Sequence, residues 1–68
     1  MAITLKAARV NVDLTQEEAA KAIGVTQNTV YRWEKGTTVP HFKHIAKICE
    51  VYKLNSYDDV IFLPANNA

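Results

Sequence analysis

Hydrophobic positions along the chain recur three and four residues apart, in short stretches separated by glycine, proline or small polar residues, which predicts several short helices. Leu5, Ala8, Arg9 and Val12 follow the i, i+3, i+4, i+7 pattern of a first helix over 4–11, and Arg9 is the one charged member of that stripe. A second helix starts at Thr15-Gln16-Glu17-Glu18. This is a capping box, in which the Thr15 hydroxyl accepts from the Glu18 amide while the Glu18 carboxylate reaches back to the Thr15 amide. Ala19, Ala20 and Ile23 form its buried face, and Gly24 supplies the left-handed residue that ends it. Gly24 and Val25 lead directly to Thr26, the expected cap of a third helix over 27–35, which Gly36 closes.

That third helix is sharply two-faced. With Gln27 set at 0° and about 100° per residue, Val30 and Trp33 fall at about 300° and about 240°, whereas Asn28, Tyr31, Arg32 and Lys35 spread from about 40° to about 140°. Pro40 presets the backbone for the first turn of a fourth helix running to position 51. Phe42, Ile45, Ala46 and Cys49 lie on its inward stripe, which Ile48 and Tyr52 widen. Ser56-Tyr57-Asp58-Asp59 resembles another capping box and predicts a fifth helix through Val60, Ile61, Phe62 and Leu63, closed by Pro64. No strand alternation, low-complexity tract or internal repeat is visible, and 65–68 reads as a frayed tail. The expected fold is all-α, one domain over 1–68 with its core in 4–63.

Composition narrows this picture. A chain of 68 residues buries only about 60% of the surface its unfolded form exposes, enough for one small domain and not for a deep enclosed site. With 49% hydrophobic residues and a net charge of +1 the sequence does not read as disordered, and no apolar run approaches the roughly 20 residues that span a bilayer. Lys6, Arg9 and Asn11 interrupt any secretory signal at the N-terminus, so a cytoplasmic protein is expected. Cys49 is the sole cysteine, which excludes an intrachain disulfide and a four-cysteine zinc site.

The small net charge hides an uneven distribution. Positions 1–20 sum to −1 and 48–68 to −2, while 21–47 carry Lys21, Arg32, Lys35, Lys43 and Lys47 against Glu34 alone, a local +4. An enzyme would need titratable groups converging on a pocket, and His41, His44, Cys49 and Glu50 are the only candidates. His41 and His44 at i, i+3 with Cys49 beyond are conceivable metal ligands, but Cys49 fits the core stripe. There is also no phosphate-binding glycine loop and no nucleophile–base spacing. The expectation is a non-enzyme with no metal and no cofactor.

Two helices joined by a glycine-containing turn of three or four residues, the second amphipathic with a polar outer face, describe a helix-turn-helix. Such a turn calls for a residue without a side chain at Gly24, a small residue at Ala20, and apolar anchors at Val30 and Trp33. Over positions 4–63 the sequence resembles the Cro/phage-repressor helix-turn-helix family of DNA-binding regulators, also called the XRE family. Leu14-Thr15-Gln16-Glu17-Glu18-Ala19-Ala20-Lys21-Ala22-Ile23-Gly24-Val25-Thr26-Gln27 is similar to its second helix and turn. Val30-Tyr31-Arg32-Trp33-Glu34-Lys35-Gly36 is similar to its third helix with the Trp-Glu-x-Gly ending. Ala19 stands where leucine is commoner. The resemblance implies a lambda-repressor-like bundle of five short helices and a structural ion pair between Arg9 and Glu34.

It also implies the mechanism of a phage or bacterial repressor. A helix fits the B-DNA major groove, so helix three can bring Gln27 and Asn28, whose amides match adenine N6/N7, and Arg32, whose fork matches guanine O6/N7, against base edges. Tyr31 shares that face and can meet a thymine methyl or a phosphate. Gln16 is the implied phosphate anchor, and Thr26, Lys35, Thr37 and Lys43 are further candidates because they flank helix three or the loop after it; Lys21 and Lys47 read equally well as solubilising charges. The family tends to bind operators as symmetric dimers, and Val60, Ile61, Phe62 and Leu63 are either the dimer surface or a roof over the core. A protein-interaction module on the same fold, such as an antitoxin, is the alternative.

Overall fold

The computed structural model describes residues 3–55 and 60–61. In chain order these form β1 (Ile3–Thr4), α1 (Leu5–Asn11), α2 (Gln16–Ile23), α3 (Gln27–Lys35), α4 (Phe42–Val51) and β2 (Val60–Ile61). Each helix begins on a side chain that accepts from an otherwise unpaired first-turn amide. Thr4 accepts from the Ala7 amide at 3.1 Å and Thr26 from the Thr29 amide at 3.2 Å. At α2 both halves of the capping box form, with Glu18 N donating to Thr15 Oγ1 at 3.1 Å and Thr15 N to Glu18 Oε1 at 2.9 Å.

All four helices are followed by a left-handed residue, but the residues differ in kind. Gly24 (φ 95°) and Gly36 (φ 84°) end α2 and α3, whereas Asp13 (φ 61°) and Lys53 (φ 57°) take that conformation after α1 and α4. A Cβ placed on Gly24 would meet nothing within 4 Å. Glycine is therefore favoured there by its backbone angle, and the close approach expected from the tight turn does not occur.

The core gathers Leu5 and Ala8 of α1, Ala19, Ala20 and Ile23 of α2, Val30 and Trp33 of α3, and Ile48 and Tyr52 at the far end of α4. Ala19, where leucine is commoner, is wholly enclosed at 0% exposure. Three expectations change. The described residues contain four helices rather than five, and Val60–Ile61 is extended, pairing in parallel with β1 in the register Ile3↔Val60 and Thr4↔Ile61. An apolar run this short has no period that separates helix from strand, and its β-branched residues suit an extended backbone. The rest of the expected fifth helix, 56–59 and 62–63, and the tail 64–68 lie outside the described residues.

Helix α4 also starts later than its proline suggested. Pro40 is buried ahead of it, and His41 is the cap, its Nδ1 accepting from the Lys43 amide at 3.3 Å. The inward stripe is rotated accordingly. Phe42 is 78% exposed and Ala46 is exposed, Ile45 and Cys49 are half-buried, and Ile48 with Tyr52 reaches the centre.

Candidate nucleic-acid interface

The turn between α2 and α3 is held by the Ala20 carbonyl, which accepts from Gly24 N at 2.8 Å and from Val25 N at 2.9 Å. Val25 folds back against the core, and Thr26 begins α3 at once. Only Val30 and Trp33 of α3 are buried, so the side that carries them is fixed inward and the opposite side must face out. Gln27, Asn28, Tyr31, Arg32 and Lys35 are all exposed, and no acidic residue is among them. The Lys35 ammonium lies 5.9 Å from the Tyr31 ring centroid, a cation–π pair one turn apart on that face.

The acidic residue of α3 is directed the other way. Arg9 Nε donates to Glu34 Oε2 at 2.7 Å and Arg9 Nη2 to Oε1 at 3.2 Å, a forked pair whose side chains are 10% and 6% exposed. The third donor, Arg9 Nη1, meets the Leu14 carbonyl at 2.7 Å. Each of the three guanidinium nitrogens of this arginine on an apolar stripe thereby has a partner, and the hydrogen bond that Arg9 donates to Glu34 raises its pKa above the ordinary value. Tyr52 is buried, and the loss of water together with the negative charge of Glu34 pushes its phenol up to about 12.

The expected phosphate-contacting residues are placed unequally. Gln16, first residue of α2, is half-buried, and its Nε2 donates to Glu34 Oε1 at 2.9 Å. Lys35 and Lys43 are exposed. Thr26 Oγ1 caps α3 and lies 2.8 Å from Thr29 Oγ1. Thr37 directs both its amide (3.1 Å) and its hydroxyl (3.2 Å) at the Arg32 carbonyl, so a phosphate contact from Thr37 requires the hydroxyl to turn. Of the two lysines read as solubilising, Lys21 is exposed and Lys47 sits 3.4 Å from Glu50 in a surface pair. Val60 and Ile61 are in β2, and Phe62 and Leu63 lie outside the described residues.

His41, His44 and Cys49, the residues weighed as metal ligands, all lie at or within α4. His41 caps α4, His44 packs against Trp33 with ring centroids 5.9 Å apart, and Cys49 is half-buried. Among the described residues no group of three His, Cys, Asp or Glu side chains could hold a metal, and no helix is long and apolar enough to cross a membrane. Sequence reasoning missed the Leu14 carbonyl, the link from Gln16 to Glu34, and Tyr52 beside the ion pair. The first joins residues only five apart across the end of α1, the other two join residues distant along the chain, and no periodicity encodes any of them.

Comparison with known proteins agrees with this geometry. A family model described as helix-turn-helix matches residues 5–58. The cryptic phage CTXphi transcriptional repressor RstR of Vibrio cholerae is 46% identical over 44 residues, a match that spans 65% of this chain and 40% of the repressor. An uncharacterized HTH-type transcriptional regulator of Bacillus subtilis, YgzD, is 33% identical over 63 residues, spanning 93% of this chain and 94% of that protein. Antitoxin PezA of Streptococcus pneumoniae is 35% identical over 57 residues, spanning 84% of this chain and 35% of the antitoxin. No solved structure matches the chain. With its glycine turn, its two-faced α3 and a family match over most of its length, the chain belongs to the helix-turn-helix family of the Cro/phage-repressor (XRE) type.

Proposed function

We propose that this single domain is a sequence-specific, double-stranded DNA-binding transcriptional regulator, a repressor of the Cro type that reads an operator with α3. The observation that carries the reading is the exposed face of α3, where amides and cations stand together without an acidic residue while the only carboxylate of the helix is turned into the molecule. Placed in the major groove, Gln27 and Asn28 meet adenine edges and Arg32 a guanine edge, each bidentate contact supplying about 1–3 kcal/mol of discrimination. Tyr31 adds a thymine methyl or a phosphate contact. Gln16, Lys35 and Lys43 fix the register on phosphates, with Thr26 and Thr37 as lesser contributors. Two copies act on symmetric half-sites about one DNA turn apart, meeting through the segment that contains Val60, Ile61, Phe62 and Leu63.

Selection from random duplexes tests this reading. The expected product is a palindromic site, bound with an affinity that falls steeply as salt rises. Gln27→Ala and Arg32→Ala should each lower operator affinity by about 1–3 kcal/mol and relax preference at one base position, with thermal stability unchanged. Unchanged base preference in both variants would remove the assignment of α3 as the reading helix. Sedimentation at several concentrations reports the dimer separately.

The match to an antitoxin favours one second reading, a module on the same fold that acts through a partner protein. It predicts no enrichment of any duplex in the selection.

A further inference from the structure

We propose that Glu34 is a positioning residue for DNA binding, holding the Gln16 amide in advance for a phosphate of the backbone, in addition to balancing the charge of Arg9. This rests on the DNA-binding reading above. A carboxylate only accepts hydrogen bonds, so the Gln16 group facing Glu34 Oε1 at 2.9 Å has to be the NH2 end of the amide. One Nε2–H is engaged there, and the second remains to donate to an anion. The carbonyl end, which a phosphate would repel, is thereby fixed with respect to the donor.

Three observations make the arrangement a built one. Glu34 is itself immobilised, both of its oxygens being held by the Arg9 fork and its side chain being only 6% exposed. The remaining donor of that fork grips the Leu14 carbonyl at 2.7 Å, two residues before Gln16, so the segment leading into α2 is tied to the same cluster. Glu34 also belongs to the helix that carries the reading face, so the anchor at the start of α2 is set relative to α3 through a single carboxylate. A glutamine free in solvent loses rotamer freedom when it binds; one already held loses less, and the difference appears as affinity.

The sign of the charge effect makes the proposal testable. Glu34 is negative, so if it acted only as a counter-charge for Arg9, removing both members of the pair together would leave the net charge and the DNA affinity unchanged. The experiment uses Gln16→Ala, the double variant Arg9→Met/Glu34→Leu, and all three substitutions together. Binding to a short duplex of random sequence is read by fluorescence anisotropy, since a phosphate contact does not depend on sequence. Replacing a buried ion pair by apolar side chains of similar size usually preserves a fold, which thermal denaturation checks. The expected result is about a tenfold loss for Gln16→Ala, a similar loss for the double variant, and no further loss when the three are combined. Undiminished binding by the double variant, or losses that simply multiply, overturns the proposal.

The side-chain amide of Gln16 in the nitrogen-15 spectrum of the wild-type protein without DNA supplies a second measurement that needs no variant. One Hε2 proton shifted away from the ordinary side-chain amide position and protected from exchange supports the proposal, and a pair at the ordinary positions exchanging freely with solvent overturns it even if the double variant does not fold. Failure of the wild-type protein to bind any duplex overturns the DNA-binding reading, and this proposal with it. Binding that survives the double variant overturns the positioning role alone.

Discussion

Helices α3 and α4 lie next to one another in the chain, and their apolar residues are used in opposite ways. Helix α3 has just two large apolar residues on one side, Val30 and Trp33, and buries both. Helix α4 has apolar residues on most of its circumference and buries few of them: Ile48 and the following Tyr52 are enclosed, while Phe42 is 78% exposed. Scarcity makes an orientation unambiguous, because a helix with only two anchors has one way to bury them. Surplus does not, since several rotations of α4 bury comparable area and its neighbours decide among them.

The largest expected effect comes from loosening α3. Arg9→Ala leaves the Glu34 carboxylate enclosed without its partner, at a cost of about 3–5 kcal/mol. A chain of this length has roughly 3–10 kcal/mol in all, so denaturant titration should find the variant largely unfolded, and a native-like midpoint would mean that water reaches the pair. Within α4 the contrast can be broken directly. Ile48→Ala should cost about 2–5 kcal/mol and Phe42→Ala no more than about 0.5 kcal/mol; equal losses would mean that α4 is rotated from the orientation described.

The pH dependence of stability bears on the far end of α4, where Tyr52 feels the charge of Glu34. Tyr52 titrates at about 12 in the folded protein against 10.0 for an ordinary tyrosine, so folding favours the neutral phenol. The stability this confers is complete below pH 10 and is lost as the pH rises through about 12. Urea titrations across that range should show a falling midpoint, and Tyr52→Phe should flatten the fall. The smallest effect concerns how the two helices end. α3 stops on Gly36, but α4 is followed by Lys53 in the left-handed region, where Lys53→Gly should raise stability by about 0.5–1 kcal/mol in thermal denaturation.

Much of α3 was legible in the sequence for the reason that separates it from α4. Caps at Thr15 and Thr26, glycines at 24 and 36 and a sparse apolar pattern each point to the same boundaries. The exposed set on α3 follows from those boundaries. The start and stripe of α4 did not follow, because Pro40 is compatible with positions before a helix as well as inside its first turn, and because Phe42 is as apolar as Ile48. The pattern of β2 does not distinguish strand from helix, because its stabilising partner, Ile3–Thr4, lies at the other end of the chain. The hydrogen bond from Gln16 to Glu34 was out of reach for the same reason, since it depends on how α2 and α3 meet.

That ladder between β1 and β2 bears on the order in which the molecule assembles. Its register joins residue 3 to residue 60, so forming it first would close nearly the whole chain, at an entropic cost of about 3.6 kcal/mol before any helix had docked. The contacts between α2 and α3 close a much shorter loop. Nucleation therefore favours the central hairpin of helices, with the two ends of the chain joining late. In native-state hydrogen exchange the amides of the ladder should open well before those of α2 and α3, so that fraying at the termini leaves α3 and its exposed face in place.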